Sequence, residues 1–393
     1  MIPQLEVCTF NISDLKKTIK YNVSRIELCI NKDVGGLTPP KKDIEFAVET
    51  NMPIHPIIRP RGGNFLYNNQ EMKSMINSIS FCREMGCKGI VIGVLDKKND
   101  IDIQKCNELI KYAYGMSLTF HMAKSFRVLY VASEIKPFLN ETYVSEIVRK
   151  LPQEMQEKGV EIRILVPRFG LINERKNRLH EVVRLSGLNI SIGDDDKPLI
   201  IKVASIPAAK LQVYFIDNED YFKRKTVFKN KSGKFHKDND ERCLFFCRGV
   251  LETVIKLGWS PDIIHCNDWM SSLIPLLVKT SFSESHLFEN TKCIFSIYKN
   301  EFKEKLDKKF IEKILDDEEI DEKMLSSLKS NDYNGLLSVA AEYSNAVIRP
   351  KEELSKKVEE TISNISPKKK LHTIDNDEKS VESHYKLYNE ILN

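Results

Sequence analysis

Short apolar runs alternate with segments of helical period along this chain, and the alternation starts afresh near residue 126. A repeated strand, helix, strand order is satisfied by a parallel sheet with right-handed crossovers, and few other architectures accept it. The first series comprises LEVCTF, RIELCI, IHPIIRP, GIVIGVL and SLTFH, separated by SDLKKTIKYN, KKDIEFAVETN, NQEMKSMINSISFCREMG and DIQKCNELIKYAYG. It predicts five buried parallel strands, in a doubly wound sheet or part of a (β/α)-barrel. The second series runs FRVLYVASE, a helix over about 142–158, EIRILVP, LIIKVASI, LQVYFID, a helix in DERCLFFCRGVLETVIKLG, then PDIIHCND, KCIFSIY and NAVIRP. A Rossmann-type parallel sheet follows from it.

A length of 393 residues also argues for more than one core. With 60 basic against 56 acidic residues the net charge is +4, so no global field points to nucleic acid or an anionic membrane surface. No apolar run reaches the roughly 18 residues of a membrane span, and MIPQLEVCTF lacks the charged start of a signal peptide. Nine cysteines, an odd number spread over strands and helices, fit reduced thiols. The expected location is cytoplasmic.

The strings RIELCINKDVGGLTP, PIHPIIRPRGGNFLY, GIVIGVLDKKNDID and LTFH resemble consecutive signatures of the CutC family, a TIM-barrel family named for copper homeostasis. The resemblance runs from Leu5 to His121 and stops, which implies strands one to five of a barrel. VLYVASEIKPF, LPQEMQEKGVEIRILVPRFG and ERCLFFCRGVLETVIKLGWSPDIIHCNDW resemble the amino-terminal domain of bacterial glycogen and starch synthases, over about Phe126 to Pro350. In that family two Rossmann domains face each other across a donor-binding cleft, and the resemblance here extends to the first alone. The expected organisation is a truncated (β/α) half-barrel over 1–121, one GT-B amino-terminal type Rossmann domain over 122–350, and a charged helical or flexible tail over 351–393. The seam falls between His121 and Met122, with Met122 as a former initiator.

The synthase resemblance assigns roles residue by residue. Its Lys-Thr-Gly-Gly-Leu turn, which meets the donor phosphates, falls on Asn140, Glu141, Thr142, Tyr143 and Val144, counted from Pro137 and Phe138. A carboxylate beside a diphosphate repels it. Read from the residues alone, Glu141 and Thr142 cap and complement a helix start. The His-x-His-Asp-Trp-His motif falls on His265, Cys266, Asn267, Asp268, Trp269 and Met270, so the reactive His is Met270. A third motif, Thr-Ile-His-Asn, reads Ser296, Ile297, Tyr298 and Lys299. His265, Asp268 and Trp269 survive, either as substrate contacts or as structural groups closing a strand. The losses imply a degenerate synthase without activity of its own. The alternative is a glucosyltransferase acting from ADP-glucose or UDP-glucose on a glucan, with another chain completing the cleft.

In the half-barrel, Glu6-x-Cys8 and Glu27-x-Cys29 repeat one pattern on neighbouring strands and point Glu and Cys to one face. Cys8, Cys29 and His121 are candidate ligands for Cu(I), against the plainer reading of core cysteines. Arg59, Arg61, Gly62 and Gly63 end a strand at the rim where barrel sites sit. They read as an anion site or as salt bridges to Glu6 and Glu27. An open half-barrel leaves unpaired strand edges and interior apolar side chains, to be covered by the second domain, a second copy or aggregation. Residues 299–331 predict a solvated helix with a stripe of Phe302, Leu306, Phe310 and Ile314, and Lys368 to Lys370 a solvated tail.

Overall fold

A computed structural model describes residues 5–21, 23–62, 65–96, 101–120, 126–209, 211–375 and 380–392. The chain divides into two compact units, Met1–Ser125 and Phe126–Asn393.

In the first unit β1 (Glu6–Thr9), β2 (Arg25–Leu28) and β3 (Ile54–Pro56) pair in parallel, β4 (Gly89–Ile92) pairs in parallel with β5 (Ser117–Phe120), and an Ile57–Val91 bridge joins the two groups. Between them the chain returns through α1 (Ile12–Thr18), α2 (Lys41–Glu49), α3 (Asn69–Glu84) and α4 (Ile103–Tyr112). Three helix starts are written locally: Asn11, Asn68 and Asp102 each accept a backbone N–H of the first turn, and Glu71 completes a capping box with Asn68. Ile26, Leu28, Ile54, Ile90 and Ile92 pack under Leu15, Ile44, Met75, Ile79 and Leu109 of the helices.

The opposite face of this sheet is chemically different. Register sets Cys8 level with Glu27, Glu27 with His55 and Gly89 with Ser117, and the Ile57–Val91 bridge sets His55 level with Gly89. One cross-strand row therefore holds a thiol, a carboxylate, an imidazole and a hydroxyl; the next row holds Cys29, Ile57 and Val91, with Phe10 against them. The exposed apolar surface lies elsewhere than expected. Leu118 and Phe120 stand opposite Ile90 and Ile92, on the helix side, yet are 42% and 40% exposed. In a (β/α) repeat the next helix covers that side of the strand, and here the chain leaves β5 for the second unit instead.

The second unit is built on β6 (Arg127–Val131), β7 (Glu161–Pro167), β8 (His180–Glu181), β9 (Leu188–Ile192), β10 (Asp195–Ile206), β11 (Leu211–Asp217), β12 (Ile263–Asn267), β13 (Lys292–Ser296), β14 (Ala346–Arg349) and β15 (Leu371–Thr373). Their order is β15-β14-β13-β12-β6-β7-β11-β10-β8, with β9 on β10. The sheet is parallel from β15 to β11, as predicted; β10 runs antiparallel to β11, β8 and β9. The link from β10 to β11 passes through the single turn Pro207–Ala209, far too short for a crossover helix.

Helices α5 (Val144–Glu157), α6 (Glu219–Phe222), α7 (Asn239–Leu257), α8 (Ile274–Lys279), α9 (Phe310–Leu315), α10 (Tyr333–Tyr343), α11 (Lys356–Ser363) and α12 (Ser380–Leu392) complete the unit. The helix expected over 299–331 is replaced by α9 and a 3-10 turn, Glu322–Leu328. The Asn331 amide donates to the carbonyls of Leu306 and Asp307, which a continuous helix would need for itself. Phe302, Leu306, Phe310 and Ile314 are nonetheless all buried.

Within 351–393, expected as a charged helical or flexible tail, the described residues supply two helices and a strand of the sheet. Lys368–Lys370 form a turn leading into β15, which extends the sheet beside β14. On α12, His384, Leu387 and Tyr388 are buried. The Tyr388 hydroxyl lies 2.6 Å from His265 Nδ1 and 2.9 Å from the Tyr130 hydroxyl. Among the described residues no helix is long and apolar enough to cross a membrane.

Candidate functional site

The synthase-like motifs converge at the carboxyl ends of β6 and β12, where open α/β sheets place their ligands. Asp268 follows β12 with φ +67° and ψ 172°, a strained backbone that side-chain-bearing residues rarely adopt. Its carboxylate accepts from the Ser133 N–H at 2.9 Å, the Ser133 hydroxyl at 2.6 Å and the Met270 N–H at 2.8 Å. Burial pushes the Asp268 carboxyl up to about 7, against the pull of those bonds. Asp268 thus ties the end of β6 to the turn after β12.

One residue along, the Glu134 carboxylate accepts from the backbone N–H groups of Glu141 at 2.6 Å and Thr142 at 3.0 Å, and from the Thr142 hydroxyl. These amides lie just before α5, in the turn where the family places its donor phosphates. An internal anion occupies them. Burial raises the Glu134 carboxyl, while the Thr142 and Glu141 bonds act the other way. Asn140 accepts from the Ser145 hydroxyl at 2.6 Å, and the Tyr143 hydroxyl accepts from the Lys299 N–H at 2.8 Å. Tyr298 donates to Asn267 Oδ1 at 2.6 Å and accepts from Tyr333 at its carbonyl.

Met270 is wholly buried, and its carbonyl accepts from the thiols of Cys243 and Cys247. Trp269 packs against Phe228 and Phe302, with ring centroids 4.7 and 5.0 Å away. His265 is buried below the site, between Tyr388 and Ser296, whose hydroxyl lies 2.7 Å from Nε2. The three surviving motif residues therefore separate: Asp268 anchors, His265 faces the core, and Trp269 lines a cavity of about 270 Å³ with Glu134, Glu141, Thr142, Lys229 and Asn300. The one basic residue lining it, Lys229, pairs with Glu304 at 2.9 Å. Among the described residues Asn300 Oδ1 is buried without a partner.

In the first unit the two cysteine sulfurs stand 3.6 Å apart, and the Cys29 thiol points at Glu27 Oε1, 3.5 Å away. All three ligand atoms lie within 4.8 Å of one another. Burial raises the Glu27 carboxyl. Glu6 pairs instead with Arg25 at 2.7 Å. His121 and Gly63 lie outside the described residues, as does the seam at Met122. Arg59 donates to the carbonyls of Val34 and Gly36 at 2.6 and 3.1 Å and lies over the Phe65 ring. Arg61 pairs with Glu71 at 2.5 Å and donates to the carbonyls of Gly62 and Leu66. Both guanidiniums brace the IRPRGG loop. A Cβ at Gly62 would stand 3.1 Å from Val34 Cβ, close enough that Val34 would have to give way.

Sequence reasoning did not single out Glu134, His55 or the α12 pair His384 and Tyr388. His55 could have been found by extending the period-2 reading from β2 to IHPIIRP. The α12 pair gave no signal, because a contact across more than a hundred residues leaves no local pattern.

A Rossmann lobe with its motifs at the strand ends has the architecture of the amino-terminal half of a GT-B fold. The starch synthase catalytic domain model matches residues 127–361, well over half of the chain, and the chain belongs to that family. The CutC family model matches residues 3–130, so the chain joins a CutC part to a synthase part. Glycogen synthase of Chlorobaculum parvum is 35% identical over 236 residues, 60% of this chain and 48% of that protein. That of Chlorobium chlorochromatii is 44% identical over 176 residues, 44% of this chain and 36% of that protein. The chain thus spans about half the length of the curated relatives it matches, or less. The catalytic domain of starch synthase IV from Arabidopsis thaliana, solved with ADP and acarbose, superposes with a TM-score of 0.51 at 19% identity, over 64% of this chain and 52% of that one. It is a likeness of fold.

Proposed function

We propose that this is a degenerate glycogen/starch synthase-like protein, cytoplasmic and unable to transfer glucose on its own, fused between His121 and Met122 to a CutC-like half-barrel. The observation that carries the reading is position 270, where a wholly buried Met stands in place of the reactive His; the amides of Glu141 and Thr142 are in addition taken by the Glu134 carboxylate. Glu141 adds a second negative charge to a cleft whose basic residue is already paired.

What the cavity offers suits neutral hydroxyls better than phosphates: two carboxylates, the Asn300 amide and an indole edge. A glucan is the partner that fits it. Calorimetric titration of the full chain with ADP-glucose and UDP-glucose tests the proposal, with glucose incorporation into glycogen as a second readout. No binding and no incorporation are expected; micromolar binding of either donor would overturn the reading in favour of a glucosyltransferase. That alternative draws support from the half-length match, because a separate chain could supply the other lobe.

A second reading concerns the CutC-like part. The thiols of Cys8 and Cys29 are close enough to share one metal ion, and Cu(I) is the ion to which the family name points.

A further inference from the structure

We propose that the hairpin 226–236 is a proton-operated flap over the Trp269 cavity, shut while the His236 ring is neutral and released when the ring takes up a proton. The proposal adds regulation to the cavity offered to a glucan and rests on that reading only for what the opened cavity admits. The movement itself is read without ligand.

The hairpin is a small element closed mainly on itself. Lys229 and Phe235 bridge in antiparallel register, the His236 N–H donates to the Phe228 carbonyl at 2.9 Å, and the Asn230 N–H donates to the Lys234 carbonyl at 2.8 Å. Its tip, 229–234, is exposed. At its open end the Thr226 hydroxyl lies 2.9 Å from His236 Nε2, so the ring fastens one arm to the other. Val227, Phe228 and Lys229 of the first arm line the cavity, and the Phe228 ring packs on the Trp269 indole. Release of that arm uncovers the indole. The arms are held to the rest of the unit by few groups. Arg242 and Asn239 of α7 donate to the carbonyls of Val227 and Phe228 at 2.7 and 2.9 Å, Lys229 pairs with Glu304, and Phe235 stacks on Phe302 at 4.8 Å.

The charges at the base of the hairpin are unbalanced. The groups acting on the His236 ring are Arg242 of α7 with Arg224 and Asp238 of the flanking chain, two guanidiniums against one carboxylate. Asp238 is already engaged by Arg224 at 2.7 Å. Arg242 is wholly buried, donates from Nη1 to the Val227 and Asn239 oxygens, and keeps Nε and Nη2 without a partner among the described residues. Its other neighbours are the rings of Phe169 and Phe222, which attract a cation without neutralising it. A proton on His236 would place a third cation here, in a half-buried position where water screens it poorly.

Burial and the two arginines accordingly hold the imidazole below its usual range while the hairpin is shut. Released into water, the ring takes its proton at about pH 6.5. The shut form therefore binds the proton more weakly than the open form. The flap is held fully above about pH 6.5 and loosens as the pH falls below it.

Hydrogen exchange of the full chain at about pH 7.5 and about pH 5.5, corrected for the intrinsic pH dependence of exchange, tests the proposal. Peptides covering 226–236 should lose protection at the lower pH in the parent and keep it in His236→Gln, which stays neutral. Arg224→Gln leaves Asp238 to a protonated His236 and should shrink the loss, a response that a ring with a packing role alone would not give. The α12 peptide is the internal control, since its own response follows His384 and should be the same in all three proteins. Hairpin protection that is unchanged between the two pH values, or lost equally in the parent and in His236→Gln, would overturn the proposal. Failure of a glucan to bind at either pH, with the hairpin's response intact, would overturn the glucan reading alone.

Discussion

Lowering the pH should loosen α12, and the share of His384 in that effect can be worked out. Its ring is buried, Nδ1 donates to the Ser380 carbonyl at 2.7 Å, and the ring centroid of His265 is 5.7 Å away. His265, Tyr388 and Tyr130 are the other titratable groups of this cluster; burial lowers His265 as it does His384 and holds both tyrosines protonated. Burial therefore lowers His384 from 6.5 to about 4. The sign follows from linkage. The unfolded chain takes up this proton below pH 6.5 and the folded chain only near pH 4, so stability is complete above 6.5 and falls as the pH drops through that window. The full loss is roughly 3 kcal/mol, of which about 2 kcal/mol falls between pH 7 and 5. Asp268, raised to about 7, works in the opposite direction over the same range, so the parent's profile alone is ambiguous. The difference between the parent and His384→Asn is not, because Asp268 and His265 are common to both. Both tryptophans, Trp259 and Trp269, lie in the second unit, so urea unfolding followed by their fluorescence reports on it. The variant should lose roughly 2 kcal/mol less than the parent between pH 7 and 5. Equal losses in the two proteins would refute the argument.

Tyr388→Phe removes the hydroxyl shared by His265 and Tyr130 and leaves buried groups unpaired; a loss of about 1–3 kcal/mol is expected in the same urea assay. Tyr388→Ala adds a cavity and should cost about 3–5 kcal/mol. Met270→His should not restore glucose incorporation from ADP-glucose, since the side chain at 270 points into the core and Glu134 still fills the amide turn. A fragment of residues 1–121 should sediment as aggregates, because Leu118 and Phe120 lack a covering helix; a monodisperse fragment would contradict this.

The two series of strands were legible because period-2 and period-3.6 patterns are local, and β1 to β7 fall on the strings that predicted them. The helix expected over 299–331 failed for a physical reason. Phe302, Leu306, Phe310 and Ile314 recur at fours, but burial in an irregular segment can produce that spacing too, and Asn331, distant in sequence, takes the carbonyls a helix would use. The paired cysteines could be read from their alternation. The chemistry of the whole row could not, because only the inter-strand register sets Cys8, Glu27, His55 and Ser117 level. The substituted positions 140–144 and 270 were visible in sequence, whereas the role of Glu134 depends on where the turn after β6 folds back.

The C-terminal segment decides how the β14 edge of the second unit is covered. A Rossmann sheet that ended at β14 would expose that strand's edge and the core beneath it, including Tyr130 and His265. β15 pairs with the edge, and α12 lays Leu387 and Tyr388 over the core, with the Tyr388 hydroxyl meeting polar groups that hydrocarbon would have left unpaired. His265, one of the motif residues shared with the family, has a structural partner in Tyr388 of α12. Structural use explains its survival beside the loss of the reactive His at Met270. Asp268 fits the same account, since its three hydrogen bonds hold β6 to β12 whether or not a substrate arrives.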